Sequence, residues 1–270
     1  MKIGNRIGRG SAVAVVAALV AAGLGGAAPT KPAAPDDAAL GGSNRYDRCL
    51  VLVKRDAARA YAAANAWHEA GGAAPALHCE ALALVDLKRF PEAAQTLENA
   101  AAAEARSPAP LRAELLDQAG NAWLLARDAA KAELAFSAAL TLRPKDEDLL
   151  SDRARERGLT RNWNGAFNDL TAVLELDPNR ADVYVLRASA LHAEGHKTEA
   201  RADIAHALDI YPGYPEALVE RGSMRYESGD KAGARADWQQ AAKAAPDSDA
   251  GETALARLGA LSTTRPDPSH

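Results

Sequence analysis

Large apolar side chains recur along this chain at a fixed step. Phe136, Leu170, Ile204 and Trp238 stand thirty-four residues apart, as do Ala132, Ala166, Ala200 and Ala234. A third column, Gly120, Ala154, Ala188 and Gly222, is small throughout, as two closely approaching helices require. Pro144, Pro178, Pro212 and Pro246 mark the same interval, and proline cannot continue a helix. Turn triplets such as Glu194-Gly195-His196 and Ser228-Gly229-Asp230 divide the interval in two. The pattern predicts four helical hairpins, over 113–146, 147–180, 181–214 and 215–248. Upstream, Leu77, Ala81, Leu84, Phe90, Ala93 and Leu97 give a fainter copy over 74–107, set off by a Pro108-Ala109-Pro110 corner. Two apolar stretches, Cys49 to Val53 and Ala57 to Ala70, end at Gly71-Gly72 and predict a degenerate first hairpin over 45–73. After Pro246 a capping helix is expected over 249–262, amphipathic from Thr253 to Leu261, followed by a disordered tail over 263–270.

The N-terminus has a different grammar. Lys2, Arg6 and Arg9 precede an uncharged run from Ser11 to Leu24 and the small residues Gly25 to Ala28. That is the three-part layout of a secretory signal, predicted over 1–27. The run falls short of the ~20 residues that cross a bilayer comfortably, which favours cleavage over a permanent span. Pro29 obstructs cleavage after Ala28 and moves the expected site to Ala27 or beyond. Residues 28–44, rich in Pro, Ala, Gly and Asp, read as a flexible linker. The expected location is periplasmic or secreted, with an inner-membrane form anchored by an uncleaved N-terminal segment as the alternative. Composition supports an all-α chain: 48% of residues are hydrophobic and only 5% aromatic, a poor mix for strands. Losing Lys2, Arg6 and Arg9 with the signal takes the net charge from −4 to −7, which argues against a nucleic-acid partner.

The columns resemble the tetratricopeptide repeat: bulky, small, bulky or aromatic, Ala, bulky, Pro. The best copy is Leu116, Gly120, Trp123, Ala132, Phe136 and Pro144. The resemblance implies an α-solenoid, a right-handed superhelix of helical hairpins whose concave side is lined mainly by first helices. It also implies capture of an extended peptide or a partner helix, and together with the export signal this makes a scaffold or adaptor of the cell envelope the favoured function, in preference to an enzyme. A membrane-anchored accessory or regulatory subunit of an envelope enzyme complex is the other reading. No glycine-rich phosphate loop, nucleophile elbow or Ser/His/Asp arrangement stands out, so neither catalytic residues nor a cofactor is expected.

Within this frame several residues stand out. Arg153, Arg187 and Arg221 share one column, and Asp169, Asp203 and Asp237 share another sixteen residues on. Where Ala119 replaces the arginine, Ala135 replaces the aspartate. Such joint variation predicts structural ion pairs, since a buried charge left alone is costly, with a binding role for the arginines as the alternative. Cys49 and Cys79 are the only cysteines and, in an exported chain, are disulfide candidates; the alternative is two buried thiols. His192 and His196 are four apart, but Gly195 puts them across a turn, so no metal site is expected there or at His78. By family analogy the concave-face binding residues are Asn121, Leu124, Arg155, Ser189, His192, Ser223 and Tyr226. The row Glu114, Asp148, Asp182 and Glu216 falls where a carboxylate-gripping clamp would need lysines. It points to a neutral or basic partner, or to a simple complement of helix dipoles.

Overall fold

The computed structural model describes residues 45–263, with side chains to Leu261. The expected signal and linker lie outside the described residues, as do residues 264–270 of the expected tail. The described residues form thirteen α-helices and no strand. In chain order these are α1 (Arg45–Arg55), α2 (Ala57–Glu69), α3 (Ala73–Asp86), α4 (Phe90–Ala103), α5 (Ala109–Leu125), α6 (Ala129–Leu142), α7 (Glu147–Leu159), α8 (Trp163–Leu176), α9 (Ala181–Ala193), α10 (Lys197–Ile210), α11 (Pro215–Glu227), α12 (Lys231–Ala244) and α13 (Asp249–Thr263). The chain divides into two compact units between Ala126 and Arg127, inside the stretch 113–146 expected as one hairpin.

Local chemistry explains where the helices begin and end. Asp56, Asp128, Asn162 and Asp230 each accept a hydrogen bond from the amide three residues on, and Asp146 accepts from those of Asp148 and Leu149. These side chains satisfy amides that a helix start leaves unpaired. The turn inside each hairpin passes through the left-handed region at Arg127, Arg161, Gly195 and Gly229, again thirty-four residues apart. The next amide then reaches back to the helix just ended: His196 donates to the Leu191 carbonyl at 2.9 Å, and Asp230 to that of Arg225 at 2.9 Å. At the other end of the hairpins the residue before each proline is extended: Arg143, Asp177, Tyr211 and Ala245 have ψ between 71° and 100°.

In the first unit α1 packs on α2 and α3, α2 on α3, α3 on α4 and α4 on α5. The Pro108-Ala109-Pro110 stretch is not a separate corner. Pro108 caps α5, and Ala109 and Pro110 form its first turn, where a missing amide hydrogen costs nothing. Helix α5 therefore starts four residues before the expected 113. Trp123 donates its indole N–H to Glu98 at 2.8 Å, tying α5 to α4.

In the second unit α7 pairs with α8, α9 with α10 and α11 with α12, while α8 packs on α9 and α10 on α11. First helices also touch one another, α7 with α9, α9 with α11 and α11 with α13. One apolar cluster runs from Val185 through Ile204, Leu218 and Trp238 to Ala250, Ala254 and Leu261. Helix α13 covers the end of that cluster. It is longer than the expected 249–262 and takes in Thr263, while at its start Ser248 accepts from the amide of Gly251. Gly251 also permits a close approach, since a Cβ there would collide with the carbonyl of Ala245.

Candidate protein-binding residues and the buried ionic network

Cys49 on α1 and Cys79 on α3 are joined by a disulfide, with Cα atoms 6.2 Å apart. Both are fully buried with Ala63 and Ala64. Beside them the Tyr46 hydroxyl meets His78 Nδ1 at 2.6 Å, and His78 Nε2 meets Gln118 Oε1 at 2.8 Å. This chain of contacts links α1, α3 and α5. Burial lowers the His78 pKa, although Gln118 and Glu114 oppose the shift. A neutral ring that accepts from Tyr46 and donates to Gln118 satisfies all three groups.

The arginine and aspartate columns meet inside their hairpins. Arg153 grips Asp169 with both ends of its fork (2.9 and 2.7 Å), Arg187 grips Asp203 (2.8 and 2.8 Å) and Arg221 grips Asp237 (3.1 and 2.8 Å). The three aspartates are buried, so the bidentate geometry compensates charges withdrawn from water. In two hairpins a second arginine joins: Arg157 reaches Asp169 at 2.8 Å and Arg225 reaches Asp237 at 2.7 Å. The corresponding residue in the middle hairpin is Leu191.

Sequence reasoning missed Glu156. It is 2% exposed, in a column otherwise occupied by Ala122, Ala190 and Met224, and that mismatch was the available signal. Burial, with the neighbouring Glu133 carboxylate, pushes its pKa up to about 8. Glu133 moves down against its own burial, because Arg157 bonds it at 2.6 and 3.2 Å. The two carboxyls are a coupled pair in which burial biases Glu156 toward its protonated form while Arg157 holds Glu133 toward its ionised one.

No family model matches the chain, and no curated protein matches it in sequence. Solved structures do match. MamA from Desulfovibrio magneticus RS-1, residues 41 to the end, superposes with a TM-score of 0.56 at 20% identity, covering 65% of this chain and 97% of that one. A tetratricopeptide repeat protein from Parabacteroides merdae ATCC 43184 gives 0.57 at 16% identity over 82% and 86%. YrrB, a TPR protein with an unusual peptide-binding site, gives 0.53 at 19% identity over 72% and 96%. The fold is the tetratricopeptide-repeat fold.

In tetratricopeptide terms the candidate contact residues all lie on first helices, but their surroundings differ. Leu124 is only 9% exposed, and an apolar side chain so covered offers a partner almost no surface, which removes it from the set. Asn121 lies on α5 in the first unit and donates to the Asp117 carbonyl. Arg155 on α7 pairs with Asp152, while Ser189 on α9 and Ser223 on α11 donate to carbonyls four residues back. His192 meets Glu227 at 3.0 Å and His196 lies toward Glu199, so the two imidazoles engage different carboxylates. Tyr226 is 37% exposed and tilts against Trp238, with ring centres 5.8 Å apart. The acidic row is less naked than its sequence suggests. Arg180 donates to both oxygens of Asp182, lowering its pKa, and stands 3.5 Å from Glu147. Among the described residues no helix is long and apolar enough to cross a membrane.

Proposed function

We propose that this protein is an interaction scaffold that holds another protein or a peptide against the first helices α7, α9 and α11. The observation that carries the reading is the direct packing of these helices on one another, which supports taking Arg155, Ser189 and Ser223 in one repeat column, and His192 and Tyr226 in a second, as one contact face. A row of half-exposed polar and aromatic side chains on rigid helices can hydrogen-bond an extended backbone and cover its side chains at little entropic cost. The likeness to YrrB, with its unusual peptide-binding site, supports this reading. The remaining exposed acids near the helix starts favour a neutral or basic partner, and the chain acts by binding, not by catalysis.

The disulfide, a bond that persists in oxidising compartments, supports a periplasmic or secreted protein. The scaffold reading is tested by placing a photo-crosslinking residue at Tyr226 in the full chain and identifying adducts in cells. A single dominant protein adduct is expected from Tyr226. Adducts from Arg235 on α12 with none from Tyr226 would move the contact surface to the second helices and overturn the assignment.

A further inference from the structure

Within the second unit a cavity of about 570 Å³ lies among α8, α9 and α10, lined by Phe167, Tyr184, Leu191, Glu194, Glu199 and His206, with the Arg187–Asp203 pair at its wall. Its position in the repeat is what gives it meaning. Asp169 and Asp237 each bind two guanidinium groups from their own hairpin, one from the Arg153/Arg221 column and one from the Arg157/Arg225 column. Asp203 binds one, from Arg187, because Leu191 stands in the second column. Two further exchanges accompany Leu191: Phe167 replaces Glu133, the other acceptor for Arg157, and Glu199 replaces Gly165 and Gly233. The result is a recess with aromatic walls and an acidic rim where the neighbouring hairpins carry an arginine side chain.

We propose that this cavity receives an arginine side chain from a partner protein, its guanidinium meeting Asp203 as Arg157 meets Asp169 and Arg225 meets Asp237. This rests on the reading of the protein as a scaffold, but concerns a surface separate from the row on α7, α9 and α11. Charge balance favours a cation: Arg187 and Asp203 offset each other, and the exposed Glu194 and Glu199 outnumber the one imidazole paired with them at the rim, His196, 3.8 Å from Glu199. Shape favours a planar one, since guanidinium stacks on aromatic faces and bonds carboxylates in a fixed fork. The Arg187 guanidinium already lies 5.7 Å from the Phe167 ring centre and 5.5 Å from that of Tyr184. Two arginines on one aspartate is an arrangement this fold already contains twice, so Arg187 does not bar a second.

The test is an amide-resolved NMR titration of the protein with the blocked tripeptide acetyl-Gly-Arg-Gly-amide and with its citrulline counterpart, which has the same shape and no charge. The arginine peptide is expected to shift the signals of Tyr184, Leu191, Glu199 and His206 and to bind at least about tenfold more tightly than the citrulline peptide. Leu191→Arg, which supplies the guanidinium from within the chain, is expected to weaken binding at least about tenfold, and Glu199→Gln, on the exposed rim, about threefold. Equal binding of the two peptides overturns the proposal. So does wild-type affinity in both variants, absence of shifts at about 10 mM peptide, or tighter binding of free L-arginine than of the blocked peptide. None of these outcomes bears on crosslinking from Tyr226, so the scaffold reading stands or falls separately.

Discussion

Glu156 and Gly222 show how much a single position can decide. With its pKa about 8 when folded against an ordinary 4.5, Glu156 keeps its proton in the native state while the unfolded chain has lost it. The native state then binds more protons, so stability falls as pH rises from about 5 to about 8 and levels off above that. Glu133 acts oppositely, its depressed pKa removing stability only as pH falls below the ordinary range. Glu156→Gln, which removes the titrating proton at nearly unchanged size, is expected to flatten the decline of Tm between pH 5 and pH 8. An unchanged slope would show that the pair does not govern it. At Gly222 a Cβ would come within 2.5 Å of the Trp238 indole nitrogen, whereas Ala154 and Ala188 share their repeats with the slimmer Leu170 and Ile204. Gly222→Ala should cost about 1–3 kcal/mol in denaturant melts and far less in a Trp238→Leu background.

At the scale of elements, the turns within hairpins and the disulfide are the sensitive joints. Arg161 adopts φ of +62° where Gly195 and Gly229 serve in later hairpins. A side chain with a Cβ is strained there, so Arg161→Gly should stabilise the protein by about 1 kcal/mol and Gly195→Ala should destabilise it by about as much. Chemical denaturation of both variants checks the pair, and equal signs would refute the account. Replacing Cys49 and Cys79 with serine should cost about 3–4 kcal/mol on the chain-entropy view of a thirty-residue loop, with hydrogen exchange rising first in α1 and α2. The elements themselves were legible from their punctuation. Proline columns, Gly195 and Gly229 located the helix ends to within a few residues, and the start of α5 was misread because prolines in a first turn resemble prolines in a corner.

For the whole molecule, the thirty-four-residue period made the helical hairpins legible, because stacked hairpins repeat the same burial at the same interval, and the likeness of its columns to the tetratricopeptide repeat supplied the solenoid. The candidate surface was less legible. Side-chain exposure depends on neighbours that a column does not reveal, which is why Leu124, in line with His192 and Tyr226, turned out covered. The middle hairpin's cavity was invisible for a related reason: its signal was Leu191 in an arginine column, a departure that looks like ordinary drift until the distances are known. Helix α13 also acts at this scale, since its Ala250, Ala254 and Leu261 complete the apolar cluster that includes Trp238 and Ala241. Ending the chain after Ser248 is expected to lower Tm by several degrees (~1–3 kcal/mol) and to promote self-association, seen by light scattering.

The Cys49–Cys79 bond closes a loop that contains all of α2. A protease cutting once anywhere from Leu50 to His78 therefore yields two pieces that travel as one until a reductant is added. Nicking of this stretch would pass unnoticed on a non-reducing gel, and the severed chain would keep α1 tethered to α3.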